Sequence, residues 1–181
     1  VIGVFADAIA SMLNQNMGAW SHGRSGTLIE RTVIRWLCEL AGYGTGAWGT
    51  LTSGGTIANV TALKVALAEK FPATRQDGVA GLPGRPTFYV SDQAHFSLDR
   101  TADLLGLGLA GIRRIPSDPM ARIDLARLQD QITADRAEGR LPFCVVGIAG
   151  TTTSGAIDPL DELGDLCARE GLWYHIDAAW G

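Results

Sequence analysis

One acidic residue, Asp177, stands at the end of an apolar run, Leu172 to Ile176, that is typical of a strand buried on both faces. A buried carboxylate is unfavourable unless a cation or a hydrogen-bond donor is paired with it. His175, two residues earlier on the same face of the strand, is one candidate partner. A bound cationic heteroaromatic ring is the other candidate, and it would make Asp177 a functional residue.

A glycine-rich turn, "LTSGGTIAN" from Leu51 to Asn59, joins a predicted strand to a predicted helix. Such a turn exposes backbone N–H groups at the positive end of the helix, and its glycines let an anion approach closely. The turn therefore predicts a phosphate site formed by Gly54, Gly55 and Thr56. An ordinary strand-to-helix turn explains the same residues equally well. No Gly-Lys-Ser or Gly-Lys-Thr follows, which argues against a nucleoside-triphosphate P-loop.

Two further polar segments follow predicted strands. His95 comes just after a strand in "SDQAHFSLDR", and three threonines do so in "GTTTSGAIDP", Gly150 to Pro159. Residues beyond the carboxyl ends of parallel strands line the ligand crevice of open α/β sheets, so both segments are candidate ligand contacts. Each also has a simpler explanation, because a lone histidine commonly caps or packs a helix and hydroxyl residues fill ordinary turns.

The elements that would position these residues follow an α/β pattern, in which short β-rich runs alternate with longer helical segments from Gly44 onward. The runs are apolar on both faces, as in a parallel sheet covered by helices on each side. The predicted strands are Trp48 to Leu51, Thr87 to Val90, Ile112 to Ile115, Phe143 to Ile148 and Leu172 to Ile176. We therefore expect a mostly parallel sheet flanked by helices.

The helical segments show apolar faces and start signals. The helix after Thr56 is apolar nearly all round, and the helix after Gly26 has one apolar face, so we expect both to be buried in the core. That face comprises Ile29, Val33, Leu37 and Leu40. Asp124 is predicted to cap one helix. Asp158 is predicted to cap another, with Pro159 in its first turn.

The composition excludes several classes of protein. The 181 residues are 46% hydrophobic, which suffices for a globular core, and the net charge of -4 comes without long runs of one sign. We therefore expect neither a nucleic-acid nor a membrane partner. Cys38, Cys144 and Cys167 lie far apart in apolar segments, which predicts neither a metal site nor a disulfide framework and favours a cytoplasmic location.

Taken in order, the glycine-rich turn, the histidine, the threonine-rich loop and the strand-terminal aspartate resemble the group II pyridoxal-phosphate-dependent amino acid decarboxylases. The matching stretches are "TSGGTIAN", "SDQAHFSLDR", "GTTTSGAIDPLDEL" and "WYHIDAAWG", with "LIERTVIRWLCELAG" fitting the helix before the turn. The resemblance implies the large domain of fold-type I pyridoxal-phosphate enzymes. It implies an N-terminal helical segment over residues 1–43 and a cofactor-binding large domain over residues 44–181, truncated before the family's Schiff-base lysine.

The resemblance also implies cofactor-binding roles for seven residues. These are Gly54, Gly55 and Thr56 for the phosphate, His95 and Ala179 for the two faces of the pyridine ring, Thr152 for the ring's substituents, and Asp177 for the ring nitrogen. His95 and Asp177 are the implied catalytic residues. Asp177 would make the cofactor an electron sink for the electron pair left when carbon dioxide departs, and His95 would help to deliver the replacing proton.

The implied reaction is decarboxylation of an L-amino acid by a longer, homodimeric enzyme. The only lysines, Lys64 and Lys70, do not match the position of the family's Schiff-base lysine, so we expect the 181 residues alone to be inactive. Two other functions fit the residues: another fold-type I enzyme such as an aminotransferase or a lyase, and a domain that binds a phosphorylated ligand without chemistry. An acidic, an aromatic and a diamino acid all stay open as the substrate.

Overall fold

The computed structural model describes residues 2–181 and contains two compact units. One unit ends at Thr52, and the other runs from Ser53 to Gly181. The boundary predicted between residues 43 and 44 stays a prediction. Every residue that the sequence singles out as a site residue belongs to the second unit.

The first unit contains helices α1 (Ile2–Leu13) and α2 (Arg24–Leu40). The prediction that α2 is a core helix is wrong within this unit, since Ile29 and Leu40 of the predicted inner face are 65% and 85% exposed. Ile34 is the residue of α2 that is buried. The physical reason is that, among the described residues of the unit, α1 does not pack along α2.

The predicted strand from Trp48 to Leu51 is also wrong. These residues are irregular and follow a turn in which the Ala47 N–H donates to the Gly44 carbonyl, 2.9 Å away. A strand needs a neighbour for its ladder, and within the first unit the described residues supply none. Instead the Trp48 ring lies against the Arg31 guanidinium, whose carbon is 5.3 Å from the ring centroid.

The second unit is a parallel sheet with helices on both faces, as predicted. Its strands are β1 (Pro86–Ser91), β2 (Ile112–Ile115), β3 (Leu141–Ile148) and β4 (Trp173–Asp177). Its α-helices are α3 (Gly55–Lys70), α4 (Thr74–Asp77), α5 (Ser97–Leu104), α6 (Leu125–Ala137) and α7 (Leu160–Glu170), with short 3-10 turns at Val79–Gly81 and Leu109–Gly111. Four of the five predicted strands are therefore confirmed.

The strand order is β2-β1-β3-β4, and all neighbours are parallel. The chain moves from β1 to β2 in one direction, then crosses back to β3 and β4 on the other side of β1. A right-handed crossover reverses its face when it reverses direction, so α5 covers one face while α6 and α7 cover the other. The gap between the carboxyl ends of β1 and β3 is consequently a topological switch point, where ligands bind in open α/β sheets.

Each face of the sheet has its own core cluster. The first cluster joins α3 and α5 to the sheet and includes Leu63, Leu67, Phe88, Leu98, Phe143 and Val146. The second joins α6 and α7 to the opposite face and includes Tyr89, Leu128, Ile132, Val145, Leu163 and Leu166. Helix α3 is buried on its inner face only, since Val65 is 52% exposed. Burial all round, as predicted for this helix, is therefore wrong.

The two predicted helix caps differ in outcome. Asp124 caps α6 as predicted, because its carboxylate accepts from the N–H groups of Ala126 and Arg127 at 3.0 and 3.1 Å. Asp158 does not cap α7; Pro159 is the N-cap residue of that helix. The buried Asp158 carboxylate instead accepts from the N–H groups of Ile123 and Ile148 at 2.8 and 2.9 Å, and burial raises its pKa.

A buried carboxylate ties α6 to the sheet. Asp135 is fully buried and accepts from Tyr89 Oη of β1 at 2.9 Å. Arg113 of β2 donates through Nε at 2.9 Å and through Nη2 at 2.6 Å, and Gln131 Nε2 donates at 2.9 Å. Burial alone would raise the pKa of Asp135, but the hydrogen bonds from Arg113, Tyr89 and Gln131 hold it below its ordinary value. This network fixes β1 and β2 relative to α6.

Candidate active site

A cavity of about 170 Å³ opens at the carboxyl ends of β1, β3 and β4, where the switch point predicts a ligand site. It is lined by Gly55, Thr56, Asn59, His95, Ser97, Ile148, Gly150, Thr151, Thr152, Asp177, Ala179 and Trp180. Among these described residues Asp177 is the one carboxylate. The cavity therefore combines a single acidic group with hydroxyl and backbone donors.

The amino end of α3 forms one side of the cavity. Gly54 is its N-cap residue and has φ 143°, a backbone conformation that a residue with a side chain rarely adopts. Gly55 and Thr56 begin the helix and line the cavity, so the positive end of the helix dipole lies at the cavity wall. This arrangement suits an anionic group such as a phosphate.

Asp177 ends β4, where it lies beside Ile148 of β3 in the strand register. Its carboxylate is held from two directions: Oδ2 accepts from Asn59 Nδ2 at 2.9 Å, and Oδ1 accepts from the Ala179 N–H at 3.1 Å. Each carboxylate oxygen has a second lone pair beyond these bonds. Asp177 therefore lies in the cavity wall as an oriented acceptor.

The side chain that bonds to Asp177 is Asn59, and not His175 as predicted. His175 does not bond to Asp177 directly; its Nε2 lies 2.8 Å from Asn59 Oδ1, and Asn59 in turn donates to Asp177. Asn59 comes from α3 and is 4% exposed. Burial lowers the pKa of His175, against the opposing effect of the Asp177 charge, and this favours the neutral imidazole.

His95 lies in the turn between β1 and α5 and lines the cavity. Its Nδ1 accepts from the Ser97 N–H at 3.2 Å, so in the neutral ring the proton resides on Nε2. The Phe96 ring packs against the imidazole with centroids 4.0 Å apart. The imidazole is thus oriented by its own turn, with a proton donor at the far end of the ring.

The threonine-rich loop after β3 is shaped by Thr151 rather than by Thr152. Thr151 is buried, its Oγ1 lies 2.6 Å from Ser154 Oγ, and the Ala156 N–H donates to the same Oγ1 at 3.1 Å. Gly150, with φ 88°, makes the turn out of the strand. Thr152 is therefore left exposed at the cavity wall, where its hydroxyl is accessible to a ligand.

The cavity brings together six of the seven residues singled out by the sequence; Gly54 stands at the helix N-cap without lining it. Their functional roles stay predictions. Sequence reasoning missed Asn59 and Ser97 as site residues. Asn59 carried a usable signal, because it is a polar residue one helical turn after Gly55 and Thr56, with the apolar Ala58 and Val60 on either side.

Among residues 2–181, no group of three or more His, Cys, Asp and Glu side chains is placed to hold a metal ion. In the same part of the chain, no helix has the length and apolar character needed to cross a membrane.

Comparison with protein families gives a match over residues 1–181 to the model described as the pyridoxal-dependent decarboxylase conserved domain. An aromatic-L-amino-acid decarboxylase of Bacillus atrophaeus is 42% identical over 99% of this chain and 36% of that protein. Cysteine sulfinic acid decarboxylase of Mus musculus is 37% identical over 96% of this chain and 35% of that protein. The chain thus spans about a third of the length of these curated relatives.

Solved structures give the same result. The crystal structure of mouse CSAD superposes with a TM-score of 0.93 at 35% identity, covering 98% of this chain and 37% of that one. The structure of Oryza sativa TDC with PLP and tryptamine superposes with a TM-score of 0.85 at 29% identity, covering 96% of this chain and 37% of that one. The parallel sheet and its helices therefore have the fold of the corresponding part of these proteins.

Proposed function

Because this chain belongs to the pyridoxal-dependent decarboxylase family, we propose that the full-length protein uses pyridoxal phosphate to remove the α-carboxyl group of an L-amino acid. The relatives with this segment are named as decarboxylases of aromatic L-amino acids, of cysteine sulfinic acid and of L-2,4-diaminobutyrate. They agree in the reaction type and differ in the substrate. The proposal accordingly specifies an amino acid carboxy-lyase without specifying the side chain of its substrate.

The residues of the cavity fit pyridoxal phosphate. The cofactor is an anion at one end and, when its ring nitrogen is protonated, a cation at the other. The cavity has matching groups, since the amino end of α3 offers N–H donors and the Asp177 carboxylate offers a negative charge. An ideal Cβ at Gly55 would lie 3.7 Å from the Ala179 Cβ, so a side chain at residue 55 would fill this part of the cavity.

The residues that the sequence singled out then have physical roles. Gly54, Gly55 and Thr56 would hold the phosphate, Thr152 would offer a hydroxyl to the ring's substituents, and Ala179 and His95 would contact the ring. When bound, pyridoxal phosphate supplies an electron sink for the electron pair released with carbon dioxide. Asp177 favours the protonated ring nitrogen because a carboxylate stabilises a nearby cation, most strongly where water is scarce.

His95 is assigned the proton that replaces the departing carboxyl group. Its Nδ1 is engaged by the Ser97 N–H, which leaves the Nε2 proton free to be donated to a group in the cavity. The turn between β1 and α5 keeps the ring in place.

The observation that carries the proposal is the cavity at the switch point, with the amino end of α3 and the Asp177 carboxylate in its wall. The test is carbon dioxide release by the full-length protein with pyridoxal phosphate and a panel of acidic, aromatic and diamino L-amino acids. We expect release from one class, and loss of release in Asp177→Ala but not in Asp161→Ala, which changes an exposed aspartate of α7. No release from any amino acid, or keto acid products without carbon dioxide, would contradict the proposal.

We also propose that the full-length protein is a homodimer in the cytoplasm. The first unit supports the dimer because many of its large apolar side chains are exposed, among them Phe5 at 65% and Leu40 at 85%. Three cysteines placed singly along the chain support a reducing compartment. Sedimentation of the full-length protein tests the first proposal, and fractionation of the source cells tests the second.

A further inference from the structure

We propose that His175 is a positioning residue, which acts through Asn59 to orient the Asp177 carboxylate without neutralising its charge. This inference rests on the proposed function, since it concerns how the protein prepares Asp177 for a cationic ring. The three side chains form one continuous chain of hydrogen bonds, with 2.8 Å between His175 and Asn59 and 2.9 Å between Asn59 and Asp177.

The direction of these hydrogen bonds follows from the chemistry of the groups. An ionised aspartate can only accept, so the Asn59 amide must point its NH₂ group towards Asp177. The amide oxygen then faces His175, and an oxygen can only accept. His175 must therefore donate from Nε2. The chain of bonds fixes both the orientation of the amide and the tautomer of the imidazole.

Burial makes one orientation of the Asn59 amide strongly preferred over the flipped one. Asn59 is 4% exposed, so an unpaired amide group there would be costly. Its NH₂ group has two acceptors, Asp177 Oδ2 at 2.9 Å and Ser97 Oγ at 3.3 Å, and its oxygen has His175. Both the NH₂ group and the oxygen of the amide therefore have partners, and these partners fix its orientation. The amide is thus held between α3, α5 and β4.

The protonation state of His175 decides what the chain of bonds does for Asp177. An imidazolium so close to Asp177 would compete with a cationic ligand for the carboxylate. Burial acts against the imidazolium and lowers the pKa of His175, although the Asp177 charge acts in the opposite direction. A neutral His175 contributes only an N–H donor, so the negative charge of Asp177 remains available to the cavity.

The carboxylate is also prevented from rotating. Asn59 holds Oδ2 and the Ala179 N–H holds Oδ1, so rotation about the Cβ–Cγ bond would break one bond or both. Such a carboxylate is oriented before any ligand arrives, which reduces the entropy lost on binding. Removing the His175 donor would free the amide to turn and would loosen the bond to Oδ2.

The test compares three versions of the full-length protein: the wild type, His175→Leu and His175→Gln. Glutamine carries an N–H close to the position of Nε2, whereas leucine has no donor. We expect His175→Leu to raise the dissociation constant for pyridoxal phosphate about ten-fold, the effect of one lost buried hydrogen bond, and His175→Gln to stay within about three-fold of the wild type. Thermal unfolding of each variant verifies that it is folded.

Two spectroscopic measurements separate positioning from a general loss of structure. Histidine ¹⁵N and ¹³C shifts should show the Nε2–H tautomer of His175 in the wild-type protein without cofactor. With pyridoxal phosphate labelled with ¹⁵N in the ring, the ring nitrogen should be protonated in the wild type and in His175→Gln, and less protonated in His175→Leu.

The outcomes distinguish the inference from the function on which it rests. If the wild type does not bind pyridoxal phosphate, the proposed function fails and the inference fails with it. If the wild type binds but His175→Leu binds equally well with an equally protonated ring, the inference alone fails. An Nδ1–H tautomer, or an imidazolium, at His175 would also overturn the inference, because Nε2 would then be unable to donate or the residue would be charged.

Discussion

Replacing Asp135 by alanine should destabilise the second unit by a large part of its total stability. The change removes the 2.9 Å acceptor of the buried Tyr89 hydroxyl, which keeps only Thr87 Oγ1 at 3.4 Å. It also leaves the Arg113 guanidinium, whose side chain is 23% exposed, with only the longer 3.8 Å ion pair to the exposed Glu138. Breaking a buried ion pair by removing one partner costs about 3–5 kcal/mol. Since domains are stable by only about 5–15 kcal/mol, the loss should be easy to detect.

The assay is urea denaturation of the full-length protein, followed by a probe of the second unit. With a urea dependence of about 2 kcal/mol per molar, Asp135→Ala should lower the midpoint by about 1.5–2.5 M. The matched control is Asp130→Ala, which removes an exposed aspartate from the same helix and should cost less than about 0.5 kcal/mol. A loss below about 1 kcal/mol in Asp135→Ala would refute the reasoning that this network stabilises the fold.

The same network predicts a pH dependence. The pKa of Asp135 is lower in the folded protein than its ordinary value of about 3.9, so the folded state favours the ionised carboxylate. Its stabilising contribution is therefore present above about pH 4 and is lost as the pH falls through the folded pKa. The unfolding free energy of the wild type should decrease over this range more steeply than that of Asp135→Ala.

Three further changes test other parts of the structure. Asp158→Asn should lower the unfolding free energy by about 1–3 kcal/mol, because an amide has one acceptor oxygen for the two N–H groups of Ile123 and Ile148; equal thermal stability would contradict this. Asp124→Ala should cost about 1 kcal/mol by removing the cap of α6, measured by the same unfolding assay, and a neutral effect would argue against the cap. Thr56→Val should raise the dissociation constant for pyridoxal phosphate about ten-fold or more without changing stability, as measured by fluorescence titration; unchanged affinity would exclude a hydroxyl contact to the phosphate.

Local patterns in the sequence predicted much of the second unit. Strands β1 and β3 are short apolar runs bounded by loops, and the cap at Asp124 precedes a regular helical pattern, so neighbouring residues alone carry these signals. Where the partner of a side chain lies far along the chain, local patterns fail. Asp158 resembles a helix cap by its position before Pro159, yet its carboxylate bonds to Ile123, 35 residues away.

In the site, too, features that depend on neighbouring residues were predicted and features that depend on distant contacts were not. The order of the glycine-rich turn, His95, the threonine-rich loop and Asp177 was sufficient to indicate the family, and residues from all four line one cavity. The importance of Asn59 could not be derived from its neighbours, because it depends on contacts with His175 and Asp177, 116 and 118 residues away. The exposed face of α2 was mispredicted for a related reason, since helical periodicity identifies an apolar face but not what covers it.

The separation of the core into two clusters has a consequence for engineering this protein. Ile148, which lines the cavity, belongs to the core cluster of α3 and α5, and Asn59, which also lines the cavity, belongs to α3 itself. By contrast, no described residue of the α6–α7 cluster lines the cavity. Substitutions that improve packing around Leu128 and Leu163 therefore change stability without touching the ligand. Their energies should also add to those of substitutions around Leu67, because the sheet stands between the two sets. The face of the sheet away from α3 is thus where this unit can be stabilised independently of its chemistry.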